Sequence, residues 1–219
     1  MTIHSRKPRA RFEDPLSFIY RAVTKLYTLW LISTFPFASR GRNLSVHFWC
    51  KISRKLAHHL QLGNSVIIKR DSWLNIIPDD TDELKIKIDD GCVIGSRCTI
   101  SAKNLIHLEP EVITASSVLI QDHNHAYEDV NLSIKAQGVS DGGQITIGEG
   151  SWIGHGAAIV CSRGKLTLGR HCVVAANAVV TKSAPPYSVL AGNPARIIRR
   201  YDPKSKTWGS GSHVLPDLA

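Results

Sequence analysis

The residues of this sequence best suited to chemistry are two histidines one residue apart among carboxylates, in Gln121-Asp-His-Asn-His-Ala-Tyr-Glu-Asp129. Residues i and i+2 of an extended segment project to the same side, so His123 and His125 could share one site. Three readings are open. As a general base, one imidazole beside Asp122, Glu128 or Asp129 takes a proton from a hydroxyl or amine, while the carboxylate orients the ring and stabilises the imidazolium. As metal ligands the pair needs a third or fourth partner, and His107, His155 and His171 are scattered without a converging ligand spacing. As polar residues at a loop entrance they need no role.

The elements that must position this segment follow from a period of six. Large aliphatic residues, with Thr114 the one exception, fall at Leu62, Ile68 and Leu74, then Ile88, Ile94 and Ile100, then Leu108, Thr114 and Ile120, then Ile147, Ile153 and Ile159, then Leu168, Val174 and Val180. Neither a helix nor an ordinary strand has that period, and a hexapeptide repeat is the signature of a solenoid coil. Calling the aliphatic position i, the next residue is often Gly (Gly63, Gly95, Gly148, Gly154, Gly169), i+2 and i+3 are turn-like, and i+4 is small (Val66, Cys92, Cys98, Ser151, Ala157, Cys172). The pattern describes a short strand and a tight corner, with Gly and Asn supplying the unusual backbone angles. Three strands close a triangular coil, and stacked coils bury what no single coil can. Residues 121–144 interrupt the register as a long excursion, of a length that in compact domains is usually functional or disordered. The step from Ile159 to Leu168 is nine residues instead of six.

The 219 residues allow one substantial domain with appendages, and the net charge of +9 is lopsided. Residues 1–55 hold 11 Lys and Arg against 2 Asp and Glu, whereas residues 56–219 hold 16 of each. Such an arm suits either plain solvation or an anionic surface, a membrane or a phosphate-bearing substrate. Nucleic acid is not expected: there is no zinc finger, helix-turn-helix signal or aromatic-basic platform. Five cysteines without CxxC spacing, three of them in the small inward slot, read as buried space-fillers in a reducing cytoplasm. No signal peptide is expected, because Arg21 and Lys25 break the apolar N-terminal segment. Residues 1–14 read as a loosely attached basic arm and 15–35 as a helix with Asp14 as N-cap and Pro15 at its first position. The uncharged stretch is too short to span a bilayer. The helix either packs on the solenoid or a neighbouring subunit, or lies in a membrane interface. The expected organisation is residues 1–40 as arm and helix, 41–183 as the β-helix opening on an imperfect cap coil, and 184–219 as a tail whose end, 203–219, is frayed.

From Asp122 to Asp202 the chain resembles the hexapeptide-repeat acyltransferases, in the sugar O-acetyltransferase branch. The resemblance is carried by Asp122-His-Asn-His-Ala-Tyr-Glu-Asp, Ile147-Gly-Glu-Gly-Ser-Trp-Ile-Gly, Val179-Val-Thr-Lys-Ser-Ala-Pro-Pro-Tyr-Ser-Val and Ala191-Gly-Asn-Pro-Ala-Arg. It implies a mainly β fold, the left-handed parallel β-helix; general handedness rules alone favour right-handed crossovers. It also implies a homotrimer with sites between subunits, and acetyl-CoA as co-substrate with no metal required. The reaction implied is transfer to a sugar hydroxyl of a polysaccharide or glycolipid precursor, in the cytoplasm or at the inner face of the membrane. The galactoside-type catalytic His corresponds to His125, with His123 as rival. Trp152 matches a Trp near the thioester, and His155, Ala176, Thr181, Lys182, Asn193 and Arg196 match cofactor-binding positions, Lys182 and Arg196 being natural phosphate partners. Ala175 and Ser183 depart from the usual Gly and Asp, and His155 replaces a small residue. Alternatives are a small-molecule acetyltransferase, a γ-carbonic-anhydrase-like metal hydratase, and a scaffold without chemistry.

Overall fold

The computed structural model describes residues 15–210. The N-cap assigned to Asp14, the basic arm 1–14 and the last part of the tail, 211–219, lie outside the described residues. Three parallel sheets form the faces of a triangular prism of about 6 turns, a left-handed β-helix. The first face stacks Ser39–Arg40, Leu60–Leu62, Ile86–Ile88, Leu105–Leu108, Gly142–Ile147 and Arg163–Leu168. The second stacks Ser45–Val46, Ile67–Ile68, Val93–Ile94, Ile113–Thr114, Trp152–Ile153 and Val173–Val174, and the third Lys51–Ile52, Trp73–Ile76, Thr99–Ala102, Leu119–Gln121, Ala158–Val160 and Val179–Val180.

The six-residue register becomes three internal ladders. Leu62 lies on Ile88, Ile88 on Leu108, Leu108 on Ile147 and Ile147 on Leu168, all buried. Ile100, Ile120, Ile159 and Val180 stack likewise on the third face. Thr114, the one polar rung, is explained by a hydrogen bond: its buried hydroxyl accepts the Gly95 N–H at 2.9 Å. The small slot is equally purposeful. All five cysteines are free and buried, and the Cys92 and Cys98 thiols each lie 3.1 Å from a carbonyl of the next coil, of Glu109 and Ala115. Burial pushes the Cys92 thiol up to about 11.

The corner glycines divide between two roles, and only those at i+3 supply the unusual backbone angle. The Gly at i+1 has ordinary backbone angles; it is needed because a Cβ at Gly148 would sit 2.5 Å from the Arg170 nitrogen of the next coil. The left-handed angle falls instead at i+3, on Ser65, Gly91, Arg97, Glu111, Ser117, Gly150, Gly156, His171 and Asn177. A coil corner therefore tolerates many residue types at a cost that stacking repays.

The helix α1, Pro15–Thr34, closes the open end. Leu31 is buried in the core, and the Thr28 hydroxyl accepts the Val46 N–H (2.9 Å) of the first coil while donating to the Thr24 carbonyl (2.8 Å). At the other end the regularity runs past Pro185-Pro186. Ser188–Gly192 adds a parallel strand beside Val173–Val174, and Ala195–Asp202 and Thr207–Ser210 continue that sheet antiparallel. Residues 203–210 are thus not frayed: they are the turn and last strand of this extension, where Trp208 packs near Tyr201 and the Arg199 guanidinium. The nine-residue step near Cys161 lengthens a strand, so that Arg163–Leu168 pairs along the whole of Gly142–Ile147. The excursion itself is narrower than the sequence suggested, because strand pairing resumes at Gly142.

Candidate active site

The excursion leaves the prism at the edge between the third and first faces, and its base is tied to the coil before it. Asp122 is fully buried. One carboxylate oxygen accepts the Lys103 N–H (2.7 Å) and the other the Asn104 N–H (2.9 Å), two backbone donors in the turn of the preceding coil. The first oxygen also meets His123 Nδ1 at 3.0 Å. The far side of the His123 ring faces Ser101 Oγ at 3.5 Å, and that hydroxyl accepts Asn75 Nδ2 at 2.8 Å. The hydroxyl proton is then left for His123 Nε2. This fixes a tautomer in which Nδ1–H donates to Asp122. Both nitrogens of this buried ring are spent inside the wall.

The two arms of the loop then zip together. Ser140 N–H donates to the Asn124 carbonyl (2.8 Å), Asn124 N–H to Ser140 Oγ (3.0 Å), and Ala126 N–H to the Gly138 carbonyl (3.1 Å). Lys103 Nζ reaches the Ser140 carbonyl at 2.6 Å. His125 sits in this neck opposite Val139, exposed, with Nδ1 3.2 Å from the Gly138 carbonyl. Among the described residues nothing bonds its Nε2. The segment is not a regular strand at this point, so the expectation that both rings share one side fails: His123 turns in and His125 stays out. The expected carboxylate partners also separate. Asp122 serves His123, Glu128 accepts the Tyr127 N–H, and the Asp129 carboxylate accepts the Asn131 N–H while the Asp129 backbone bonds Gln137 at the loop tip. A backbone carbonyl, not a carboxylate, orients His125. The carbonyl was invisible in the sequence; Gly138, with φ of 76°, ends the short helix α2 (Ile134–Gln137) capped by Ser133. Beyond the neck the tip presents Tyr127, Val130, Leu132 and Ile134 to solvent.

The residues matched to cofactor positions are spread over the prism. Thr181 and Lys182 lie on the same edge as the excursion, in the last full coil, and His155 and Ala176 lie on the edge between the second and third faces. Trp152 is half-exposed on the outer side of the second face, between Ile113 and Val173. Asn193 and Arg196 belong to the antiparallel extension, Asn193 in its turn. A single chain does not bring these two edges together. The His155 ring is drawn along the stack, with Nδ1 2.9 Å from Ser116 Oγ of the coil below. Among the described residues, exposed Lys182 has no carboxylate partner and the Arg196 guanidinium bonds only the Ala195 carbonyl. Both cations therefore suit phosphate groups. Among the described residues no three His, Cys, Asp or Glu side chains are grouped to hold a metal.

The family described as hexapeptide repeat of succinyl-transferase matches residues 144–182. A probable acetyltransferase of Mycobacterium tuberculosis, Rv3034c, is 29% identical over 150 residues, 67% of this chain and 48% of that protein. The chain thus spans about half the length of that relative. WbbJ of Escherichia coli, a putative lipopolysaccharide biosynthesis O-acetyl transferase, is 24% identical over 157 residues, 64% of this chain and 79% of that protein. Among solved structures, a mutant of AntD, an N-acyltransferase from Bacillus cereus in complex with dTDP-4-amino-4,6-dideoxyglucose and coenzyme A, superposes with a TM-score of 0.66 at 17% identity. It covers 82% of this chain and 91% of that one, a likeness of fold.

Proposed function

We propose that this chain is a hexapeptide-repeat acyltransferase and that it transfers an acetyl group from acetyl-CoA to a hydroxyl of a sugar in a cell-surface polysaccharide or glycolipid precursor. The observation that carries the reading is His125: Nδ1 bound to a backbone carbonyl, Nε2 unengaged and facing solvent at the neck of the loop. A carbonyl accepting from Nδ1 selects the tautomer whose Nε2 lone pair is available as a base. His125 Nε2 takes the proton of the acceptor hydroxyl as that oxygen attacks the thioester carbonyl, and returns it to the leaving sulfur. His123 holds the neck through Asp122 and Ser101, and is a positioning residue in this reading.

Lys182 and Arg196 are the proposed partners of the co-substrate's phosphates, with Thr181, Asn193, Ala176, His155 and Trp152 along its arm. WbbJ's description as a lipopolysaccharide O-acetyl transferase and the nucleotide-linked sugar and coenzyme A in the AntD complex support the acceptor and donor classes. A trimer is proposed on the distribution of apolar surface. The second face turns Ile67, Val93, Ile113, Trp152, Val173 and Val189 outward and the third Trp73, Leu119 and Val179, whereas the first turns out Gln61, Lys87, His107, Thr146 and Thr167. Association through the apolar faces would set one copy's second face, which carries Trp152, against another's third face, whose far edge carries the His125 loop, and would bring the exposed apolar loop tip toward a neighbour.

The test is calorimetric titration of acetyl-CoA and free CoA into the protein, followed by CoA release with sugar acceptors. Lys182→Ala and Arg196→Ala are each expected to weaken acetyl-CoA binding about tenfold, the loss of one charge-assisted contact. Absence of CoA binding, or binding indifferent to both substitutions, overturns the assignment.

A further inference from the structure

A concavity lies at the opposite end of the molecule from Arg196, between α1 and the first coil. It has a volume of about 620 Å³ and is lined by Tyr20, Arg21, Lys25, His47, Trp49 and Arg70, among others. Three of these are cations and three carry rings. The rings are ordered: Tyr20 of the helix stacks on Phe48 at 6.4 Å, and Phe48 on His47 at 4.4 Å. Asp71 is the carboxylate at the rim, 3.3 Å from Arg70 Nε. Alongside the concavity, α1 exposes Phe18, Ile19, Leu26, Leu29 and Trp30 by more than half. The core claims the opposite side of the helix through Leu31 and Thr28, so this apolar side is left over after packing. Among the described residues no helix is long and apolar enough to cross a membrane.

We propose that this end of the molecule docks on an anionic lipid surface, with the phosphodiester of a headgroup in the concavity between Lys25 and Arg70 and the exposed side of α1 lying in the plane of the interface. Charge complementarity selects the occupant. The chain's whole excess of positive charge lies in residues 1–55, which include this helix, whereas the solenoid body is neutral. Cations that flank an amphipathic helix pair with phosphates, while aromatic residues such as Trp30 and Trp49 favour headgroup depth. A soluble anion would use the cations but would leave five large apolar side chains in water.

The experiment is co-sedimentation of the full chain with vesicles of phosphatidylcholine and of phosphatidylcholine mixed with phosphatidylglycerol, at low and high salt. The wild type is expected to bind the anionic vesicles only, and to be released by salt. Lys25→Glu/Arg70→Glu is expected to weaken binding about 30-fold, at roughly fivefold for each cation lost near the surface. Arg163→Glu/Lys165→Glu, the same charge change on the first face, is expected to weaken it less than about threefold because of screening. Circular dichroism verifies folding of each variant. Equal binding to both vesicles, or equal loss in the two double variants, overturns the proposal. So does dissociation of an oligomer by Leu26→Ser/Trp30→Ser, which would make the helix face a contact between copies. Saturable binding of a soluble nucleotide-sugar that Lys25→Glu/Arg70→Glu abolishes would overturn it too.

Discussion

The Nδ1 atom of His125 lies 3.2 Å from the carbonyl oxygen of Gly138, on the opposite arm of the same loop. The carbonyl also accepts the Ala126 N–H, so the backbone that closes the neck is the backbone that sets the ring. Asp122 and His123 do the complementary work one step earlier, fastening the neck to the preceding coil.

This division of labour separates the two histidines kinetically. His125→Ala is expected to lower kcat about 10²–10⁴-fold without change in melting temperature, because the ring is exposed. His123→Ala is expected to lower the melting temperature, with its kinetic loss partly restored in His123→Asn, which keeps a donor to Asp122. Steady-state CoA release and thermal melts check both. Full activity in His125→Ala would move the base elsewhere.

Asp122 is the anchor. Asp122→Ala strands the Lys103 and Asn104 N–H groups in a buried site. A loss of about 2–6 kcal/mol is expected from two such donors, together with faster proteolysis between residues 126 and 138. Chemical denaturation and limited digestion read the two effects, and unaltered digestion would show that the loop is held by its zipped arms alone.

A third prediction concerns acid. The Lys85 ammonium is almost wholly buried at the start of Ile86–Ile88 and meets Asp79 at 2.6 Å. The Asp79 carboxyl is held well below its ordinary value of 3.8 by the Lys85 side chain first and by Thr81 second. The unfolded chain therefore binds this proton more tightly than the folded chain. Stability from the pair is complete above about pH 4 and drains away as pH falls below it. Asp79→Asn is expected to lower the melting temperature at pH 7 and to flatten its fall between pH 4 and the acid limit. Asp79→Asn/Lys85→Met is expected to recover much of the loss, since an apolar replacement removes the buried charge. Melts of the three proteins across this range decide it; parallel curves would show that the pair is inert.

The six-residue period by itself determined the coil, its ladders and its register, because only identical stacking buries every aliphatic rung: Leu108 on Ile147 and Ile120 on Ile159 are where counting puts them. It also located the excursion and the histidines, through composition that breaks the period. Tertiary structure alone decided which histidine faces out. That choice rests on Asp122 meeting the N–H groups of Lys103 and Asn104, and on a Gly138 carbonyl, contacts between segments far apart in sequence and made by backbone atoms that every residue type possesses. The hairpin end at Thr207–Ser210 was hidden for a related reason: an antiparallel strand with exposed side chains carries no burial pattern to read. The same limit held at the helix. Its apolar residues were plain in the sequence, but which of them the first coil would bury, and the cationic groove formed beside the rest, depended on the angle at which α1 closes the solenoid.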